Sequence, residues 1–172
     1  MEGFNEIKNR VKNSGLIEIN PADLIPSGER VLIDIAPKLH MGLVLKEKDF
    51  RNYIIQENWE VFKNKHVAIT CSNDAIVPVW AFMLIAVQLE PFAQTVVLGQ
   101  LMDLEKVLID RAVNQLDVSP FEGSKVVIKG CGDKKTDQHL FVALSTRLRP
   151  IVKSIFFGEP CSTVPIIKNK TL

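Results

Sequence analysis

From Lys65 onward, two kinds of apolar pattern alternate along the chain. Short runs rich in β-branched residues, such as "HVAIT", "TVVL" and "KVVI", alternate with longer segments whose apolar residues recur at helical spacing. The pattern predicts strands at 66–70, 95–99, 125–129 and 151–157, and helices at 78–90, 101–116 and 136–148. Because short loops join these elements, we expect right-handed parallel βαβ units. The predicted fold class is α/β, a three-layer arrangement with one mainly parallel sheet and helices on both faces.

The first 65 residues have a less regular pattern. The stretches "LIEIN" (16–20) and "RVLIDI" (30–35) predict short strands, and "EKDFRNYIIQEN" (47–58) predicts an amphipathic helix. Residues 38–45 fit either a strand or an irregular segment, and residues 1–15 either a helix or a loose arm. Since no linker, repeat or low-complexity tract interrupts the sequence, we expect one α/β domain over residues 1–172.

The longest apolar run, "AIVPVWAFMLIAV", extends from Ala75 to Val87. It is too short to span a bilayer, and Pro78 interrupts it, although proline suits the first turn of a helix. A helix that is apolar on all sides is typically buried. We therefore expect a central buried helix, and we expect Trp80→Asp or Leu84→Asp to unfold the domain.

Composition and charge narrow the function classes. Of the 172 residues, 47% are hydrophobic and 24% are charged, which is typical of a soluble globular protein, and the formal net charge is +1. This balance argues against nucleic acid as a partner, because a nucleic-acid footprint needs a clustered basic excess. The N-terminus lacks the apolar core of a signal peptide, and three cysteines fit a reducing compartment, so we expect a cytoplasmic protein without a membrane partner.

The three cysteines share a position relative to the predicted strands. Cys71, Cys131 and Cys161 each follow the end of a predicted strand. In an open parallel sheet, the carboxyl ends of the strands lie along one edge, and ligands bind outside that edge. Glycines next to Cys131 (Gly130 and Gly132) and Gly158 before Cys161 would allow close approach of the backbone. The cysteines could equally be small residues that fit tight turns, and no CxxC pair is present.

Four other titratable residues are predicted near the same edge: Asp74, Asp133, Glu159 and His139. The two aspartates precede predicted helices, so helix capping is their simplest interpretation, as it is for Thr136. His139 lies in the first turn of a predicted helix and is a candidate fourth metal ligand. The motif "GCGD" lacks the later residues of a phosphate-binding loop, and no GxSxG or HExxH motif occurs.

Four segments together resemble one known family: "GLVLKEKDFR", "VAITCSNDAIVPVWAFML", "VVIKGCGD" and "VKSIFFGEPCSTVPI". They are similar to an uncharacterised bacterial family catalogued as domain of unknown function 2480, and the similarity covers nearly the whole chain. The family has no established activity, so the resemblance implies no catalytic residues. Its members tend to be encoded beside the sulfur-mobilisation machinery for iron–sulfur cluster assembly, which implies a link to that process and to its proteins as partners.

The leading hypothesis is therefore a metal or cluster site. Cys71, Cys131 and Cys161 would bind an iron–sulfur cluster or zinc, since thiolates suit soft metals. The fourth coordination position would be open or would be filled by His139. A second hypothesis is a metal-free cysteine enzyme or persulfide carrier, for example with a Cys131–His139–Asp arrangement. A third is a binding or scaffold protein with inert cysteines. The sequence alone does not decide whether the protein is an enzyme.

Overall fold

The structure is a computed structural model, and it describes residues 15–130, 137–159 and 162–168. In these residues there are four α-helices and seven strands. The helices are α1 (Glu47–Gln56), α2 (Val79–Leu89), α3 (Leu101–Gln115) and α4 (Gln138–Leu148). The strands are β1 (Leu16–Ile19), β2 (Arg30–Asp34), β3 (His66–Thr70), β4 (Thr95–Leu98), β5 (Lys125–Ile128), β6 (Ser154–Glu159) and β7 (Ser162–Lys168).

The chain divides into two compact units. The central unit is Ser27–Leu108, and the terminal unit combines Met1–Pro26 with Ile109–Leu172. The boundary along the chain falls inside α3. The expectation of a single domain over 1–172 stays a prediction.

The central unit contains a sheet of three parallel strands in the order β2-β3-β4. Successive side chains of a strand point to opposite faces, and both faces of β3 are buried. Val67 and Ile69 pack in one cluster with the buried side chains of α1 and α2. Ala68 packs with Leu104 and Leu108 of α3. Helices therefore cover both faces of β3, as the continuous apolar run "HVAIT" requires.

The terminal unit contains a four-stranded sheet in the order β1-β5-β6-β7. Strands β1, β5 and β6 are parallel, and β7 pairs antiparallel with β6 as an edge strand. Val126 and Ile128 of β5 pack against α4. The contacting residues of α4 recur every four positions and are Leu140, Leu144 and Leu148.

The α/β class with mostly parallel strands is confirmed, but the prediction of one sheet is wrong. The four predicted strands do run parallel in pairs, β3 with β4 and β5 with β6, yet each pair belongs to a different sheet. The reason is a non-local pairing: β5 pairs with β1, which lies about a hundred residues earlier. Periodicity predicts where strands begin and end but not which distant strand becomes the neighbour.

The prediction that α2 is buried on all sides is also wrong. Ala81, Ile85 and Leu89 are fully buried on one face, whereas Val79 and Met83 are exposed on the other. The helix lies on one face of a three-stranded sheet, so only the side that faces the sheet and α1 is covered. Trp80 and Leu84, chosen from the sequence as core positions, are only partly buried.

Several element ends differ from the predictions by a few residues. Pro78 is the N-cap of α2 and lies just before its first turn, and Asp74 lies four residues ahead of that cap, so it does not cap the helix. The N-cap of α4 is Asp137, whose side chain accepts from the His139 amide, while Thr136 lies outside the described residues. Across residues 15–130, 137–159 and 162–168, none of the helices combines the length and apolar character that crossing a bilayer requires.

Candidate functional site

The strands that precede the three cysteines belong to two different sheets. Cys71 directly follows β3 of the central unit. In the terminal unit, β5 and β6 are neighbouring parallel strands whose carboxyl ends lie at the same edge, and along the chain they lead to Cys131 and Cys161. These two cysteines, like Gly132 and Asp133, lie outside the described residues. The sheet-edge reasoning therefore applies to Cys131 and Cys161 as a pair and does not extend to Cys71.

Cys71 is a free, partly buried thiol that packs against the core of the central unit. Its Sγ lies 3.7 Å from the carbonyl oxygen of Asn73, to which it donates a weak hydrogen bond. The Asn73 side chain in turn donates to the carbonyl oxygen of Gly42 at 2.9 Å. The loop after β3 is thus fixed by local contacts, in which the thiol behaves as a small packing residue.

Asp34, at the end of β2, organises the same edge, and sequence reasoning missed it. Its Oδ1 accepts from the amides of Ala36 and Ser72, each at 3.0 Å, and its Oδ2 accepts from the Ser72 hydroxyl at 2.5 Å. The Ser72 hydroxyl, and then the Ala36 amide, hold the pKa of Asp34 below its ordinary value. The carboxylate therefore joins the end of β2 to the loop after β3.

The end of β4 at this edge is also occupied by local hydrogen bonds. The Gln100 side chain donates to the Thr70 hydroxyl at 2.9 Å, and the Gln100 amide donates to the Asp103 carboxylate at 2.8 Å. The first contact joins the end of β3 to the residue that precedes α3, and the second lies within the turn that begins α3. The polar groups at this edge stabilise the turns of the central unit.

In the terminal unit, the residues just before Cys131 and Cys161 are described. Lys129 pairs with Glu18 of β1, with Nζ 3.0 Å from Oε2. The hydrogen bond to Glu18 and its charge raise the pKa of Lys129, and Glu159 adds a smaller effect of the same sign. Acidic side chains thus interact with Lys129, which precedes Cys131 by two positions in the sequence.

Two glycines at this edge are required by packing. A Cβ at Gly130 would overlap Cζ of Phe157, whose ring covers the Gly130 backbone and contacts the Phe141 ring edge-on, with 5.5 Å between the ring centroids. Gly158 has φ +118°, and a Cβ there would lie 2.7 Å from the Ser162 carbonyl oxygen. These contacts are internal to the fold, so Gly130 and Gly158 provide no evidence that a ligand approaches the backbone.

His139 is held by a carboxylate that sequence reasoning did not single out. Its Nε2 lies 2.8 Å from Oδ1 of Asp110 on α3, and both side chains are partly exposed. Because a carboxylate only accepts, Nε2 carries a proton, and Nδ1 of the neutral ring then has the free lone pair. A histidine oriented in this way suits metal ligation or proton transfer.

Within residues 15–130, 137–159 and 162–168, no three His, Cys, Asp or Glu side chains lie close enough together to hold a metal ion. The terminal unit also has an apolar groove of about 300 Å³ beside α4. Its lining residues are Ile128, Phe141, Val142, Ser145, Thr146, Phe157 and Ile166. The groove places an apolar surface next to the carboxyl end of β6.

Sequence signals for the missed residues are weak. Asp34 lies near the end of a predicted strand and precedes a proline-containing turn, which is an ordinary place for an aspartate. Asp110 is one of many charged residues on an amphipathic helix, and only the packing of α3 against α4 brings it to His139.

These features define a class of protein: an α/β protein of mostly parallel strands whose sequence places a cysteine just after three of them. The chain belongs to the family described as "Protein of unknown function (DUF2480)", which it matches over residues 5–169. The resemblance drawn from the cysteine-containing segments is thereby confirmed. No curated protein and no solved structure matches the chain.

Proposed function

We propose that this protein binds a soft metal ion or an iron–sulfur cluster through Cys131 and Cys161 at the carboxyl edge of β5 and β6. The observation that carries the proposal is the parallel pairing of these strands, in which Ile128 is level with Phe157. Cys131 comes three positions after Ile128, and Cys161 comes four positions after Phe157. Counted along the chain from this pair of neighbouring residues, the positions of the two cysteines therefore differ by one residue.

The spacing of strands suits a shared site. Neighbouring strands lie about 4.8 Å apart. Two thiolates on one zinc ion need sulfurs roughly 4 Å apart, and thiolates on different irons of one cluster need roughly 6–7 Å. The strand spacing lies between these two distances, so the proposal includes both zinc and an iron–sulfur cluster.

His139 is the third ligand in this proposal. It comes eight positions after Cys131, at the start of α4, and its Nε2 bonds to Asp110. A carboxylate on one ring nitrogen commonly orients a metal-binding histidine and raises the basicity of the other nitrogen. Nδ1 would be the ligating atom, and two thiolates with one imidazole would leave a fourth position open for exchange.

The cellular setting of the proposal comes from the family. The link to iron–sulfur assembly that the resemblance implies, together with three cysteines, suits a cytoplasmic protein that would bind or pass on a cluster. Assembly proteins would then be its partners. Cys71 is not needed for this site, and its role as a third thiolate stays a prediction.

The test is metal loading of the full chain. Protein purified without oxygen should contain metal, with sulfide and a visible absorption band if the group is a cluster. Cys131→Ala and Cys161→Ala should each lower the metal content at least about tenfold, while circular dichroism keeps the spectrum of the wild type. Cys71→Ala is the matched control and should keep its metal. Wild-type metal content in both Cys131→Ala and Cys161→Ala would contradict the proposal.

A second function is favoured by one observation, the bond between His139 and Asp110. A cysteine nucleophile needs a base, and the base is commonly oriented by a third group. In this alternative, His139 removes the proton of the Cys131 thiol through Nδ1, and Asp110 holds the ring. A persulfide carrier would need the same activated thiolate.

Alkylation rates separate the two functions. If Cys131 is an activated nucleophile, metal-free protein should react with iodoacetamide at Cys131 much faster than at Cys71 at neutral pH. Asp110→Asn and His139→Gln should both remove that difference. If both thiols of the metal-free protein are alkylated equally slowly, Cys131 is not an activated nucleophile. That result would not contradict the proposed metal site.

A further inference from the structure

Helix α2 has an exposed apolar face that its own unit does not cover. Val79, Met83 and Val87 recur every four residues and lie opposite the buried Ala81, Ile85 and Leu89. Each of the first three is more than half exposed, and Ile76, just before the helix, is 95% exposed. A helix that is apolar on every side is stable in water only when something covers each side.

A neighbouring loop extends this face. Gly42 accepts a hydrogen bond from the side chain of Asn73, which ties residues 41–44 to the loop that leads into α2. Met41, Leu43 and Val44 in that loop are also more than half exposed. The surface formed by these seven side chains is called the α2 surface: Met41, Leu43, Val44, Ile76, Val79, Met83 and Val87.

The chemistry of the α2 surface limits what covers it. No charged residue occurs from Ala75 to Leu89. A helix that lies on a lipid surface needs a polar face rich in lysine and arginine, and α2 has neither. Interface cores, by contrast, are depleted in charged residues and enriched in methionine and aromatic residues.

Charge also favours a second copy of this chain as the partner. Two-fold symmetry places the same patch on both sides of an interface, so like charges would face each other if the patch were charged. The α2 surface avoids that repulsion. At its border, Arg51 lies 5.9 Å from the Trp80 ring and pairs with Glu47 at 2.9 Å, so the border carries both signs of charge.

The exposed area matches the needs of a dimer. Burial of one aliphatic side chain contributes about 1.5–3 kcal/mol, and each Å² of buried apolar surface contributes about 25 cal/mol. One such side chain therefore has roughly 60–120 Å² of apolar surface to bury. Seven side chains, each more than half exposed, thus offer roughly 300–600 Å² of apolar area. A standard interface buries about 800 Å² per partner, of which about two thirds is apolar in homodimers.

We propose that the α2 surface is the interface of a two-fold homodimer, with α2 of one copy packed against α2 of the other. The contact buries the apolar face that a single chain leaves in water. The proposal rests on the α2 surface and is independent of the proposed metal site.

Sedimentation velocity of the full chain over a range of micromolar concentrations tests the proposal. The wild type should sediment at twice the monomer mass of 19.3 kDa. Met83→Glu places a carboxylate at the middle of the α2 surface and, in a two-fold dimer, places two of them against each other. The dissociation constant of this variant should rise at least about 100-fold, with a melting temperature no lower than that of the monomeric wild type.

Val142→Glu is the matched control, because Val142 is 65% exposed on α4 and Met83 is 61% exposed on α2. It should dimerise as the wild type does. A wild type that stays monomeric throughout the concentration range would overturn the proposal, and so would a Met83→Glu dimer with an unchanged dissociation constant. Flotation of wild-type monomer with vesicles of phosphatidylcholine and phosphatidylserine would also overturn it, in favour of a lipid surface.

Discussion

The carboxyl edges of the two sheets are built from different kinds of contacts. In the central unit the edge is polar, and Asp34 and Gln100 hydrogen-bond to the ends of neighbouring strands and loops. In the terminal unit, Phe157 covers Gly130, and Gly158 lies against the backbone of the next strand. At each edge, at least one strand is followed along the chain by a cysteine. In the terminal unit, two neighbouring parallel strands, β5 and β6, are both followed by cysteines.

The difference shows that cysteines with the same position after a strand in the sequence can follow sheet edges with different contacts. At the central edge, the polar groups bond to one another, and the Cys71 thiol packs against the core. At the terminal edge, rigid packing holds the two strand ends, and His139 and Asp110 add an oriented imidazole in the same unit. Rigid elements that hold a few reactive groups are what a binding site needs.

The largest effect is expected for Gly158→Ala at the terminal edge. The backbone there has φ +118°, and the new Cβ would lie 2.7 Å from the Ser162 carbonyl oxygen, which cannot move without displacing β7. Backbone strain and overpacking each cost about 1–3 kcal/mol. We expect a loss of about 2–6 kcal/mol in the free energy of unfolding, measured by urea denaturation.

Gly123→Ala is the control for that substitution. Gly123 also has a positive φ, +64°, but nothing lies within 4 Å of its Cβ position. It should therefore cost only the backbone term of about 1–2 kcal/mol. If the two variants lost equal stability, the close contact at Gly158 would contribute nothing, and the terminal edge would be looser than the packing indicates.

A smaller effect is expected for Asp34→Asn at the central edge. The amide can still accept from the Ala36 and Ser72 backbone, but it loses the charge, so the cost is about 1 kcal/mol. The pKa of Asp34 is lowered in the folded protein from an ordinary 3.8. Its contribution to stability is therefore present above the unfolded pKa and is lost as the pH falls through the folded pKa.

Chemical denaturation at neutral and acidic pH measures that contribution. Between pH 7 and a pH of about 3, the wild type should lose more stability than Asp34→Asn does, because the variant has no carboxylate to protonate. Asp74→Asn, at an exposed position of the loop that Asp34 holds, should follow the wild type. Parallel pH curves for the wild type and Asp34→Asn would mean that the hydrogen bonds of Asp34 do not stabilise the edge.

Local patterns predicted most of the elements, because apolar periodicity and turn residues are encoded within each segment. Strand β7 was missed, since Pro165 interrupts "STVPIIK" and removes one backbone donor. The structure accommodates Pro165 on an edge strand, next to a register shift opposite Ile155 and Phe156. The division into two sheets was not predictable in this way, because it depends on the pairing of β1 with β5.

The candidate site was predictable only as positions along the chain. The sequence shows that β5 and β6 are both followed by cysteines. It does not show that these two strands are neighbours in one sheet or that β3 belongs to the other sheet. The bond between Asp110 and His139 depends on how α3 packs against α4. Similarly, the uncharged sequence of α2 predicts a helix that is buried on all sides. Burial of its exposed face (Val79, Met83 and Val87) depends on the proposed second copy of the chain, which the sequence pattern does not show.

The smallest effect is expected for Cys71→Ala. The thiol is partly buried and packs against the core, so its removal should cost about 1 kcal/mol or less in the free energy of unfolding. Its Sγ already donates to the Asn73 carbonyl oxygen, and its strand belongs to the sheet that does not contain β5 and β6. The metal content of anaerobically purified Cys71→Ala should therefore equal that of the wild type. If this variant instead lost its metal as fully as Cys131→Ala, all three cysteines would be ligands, and the contrast between the two edges would fail.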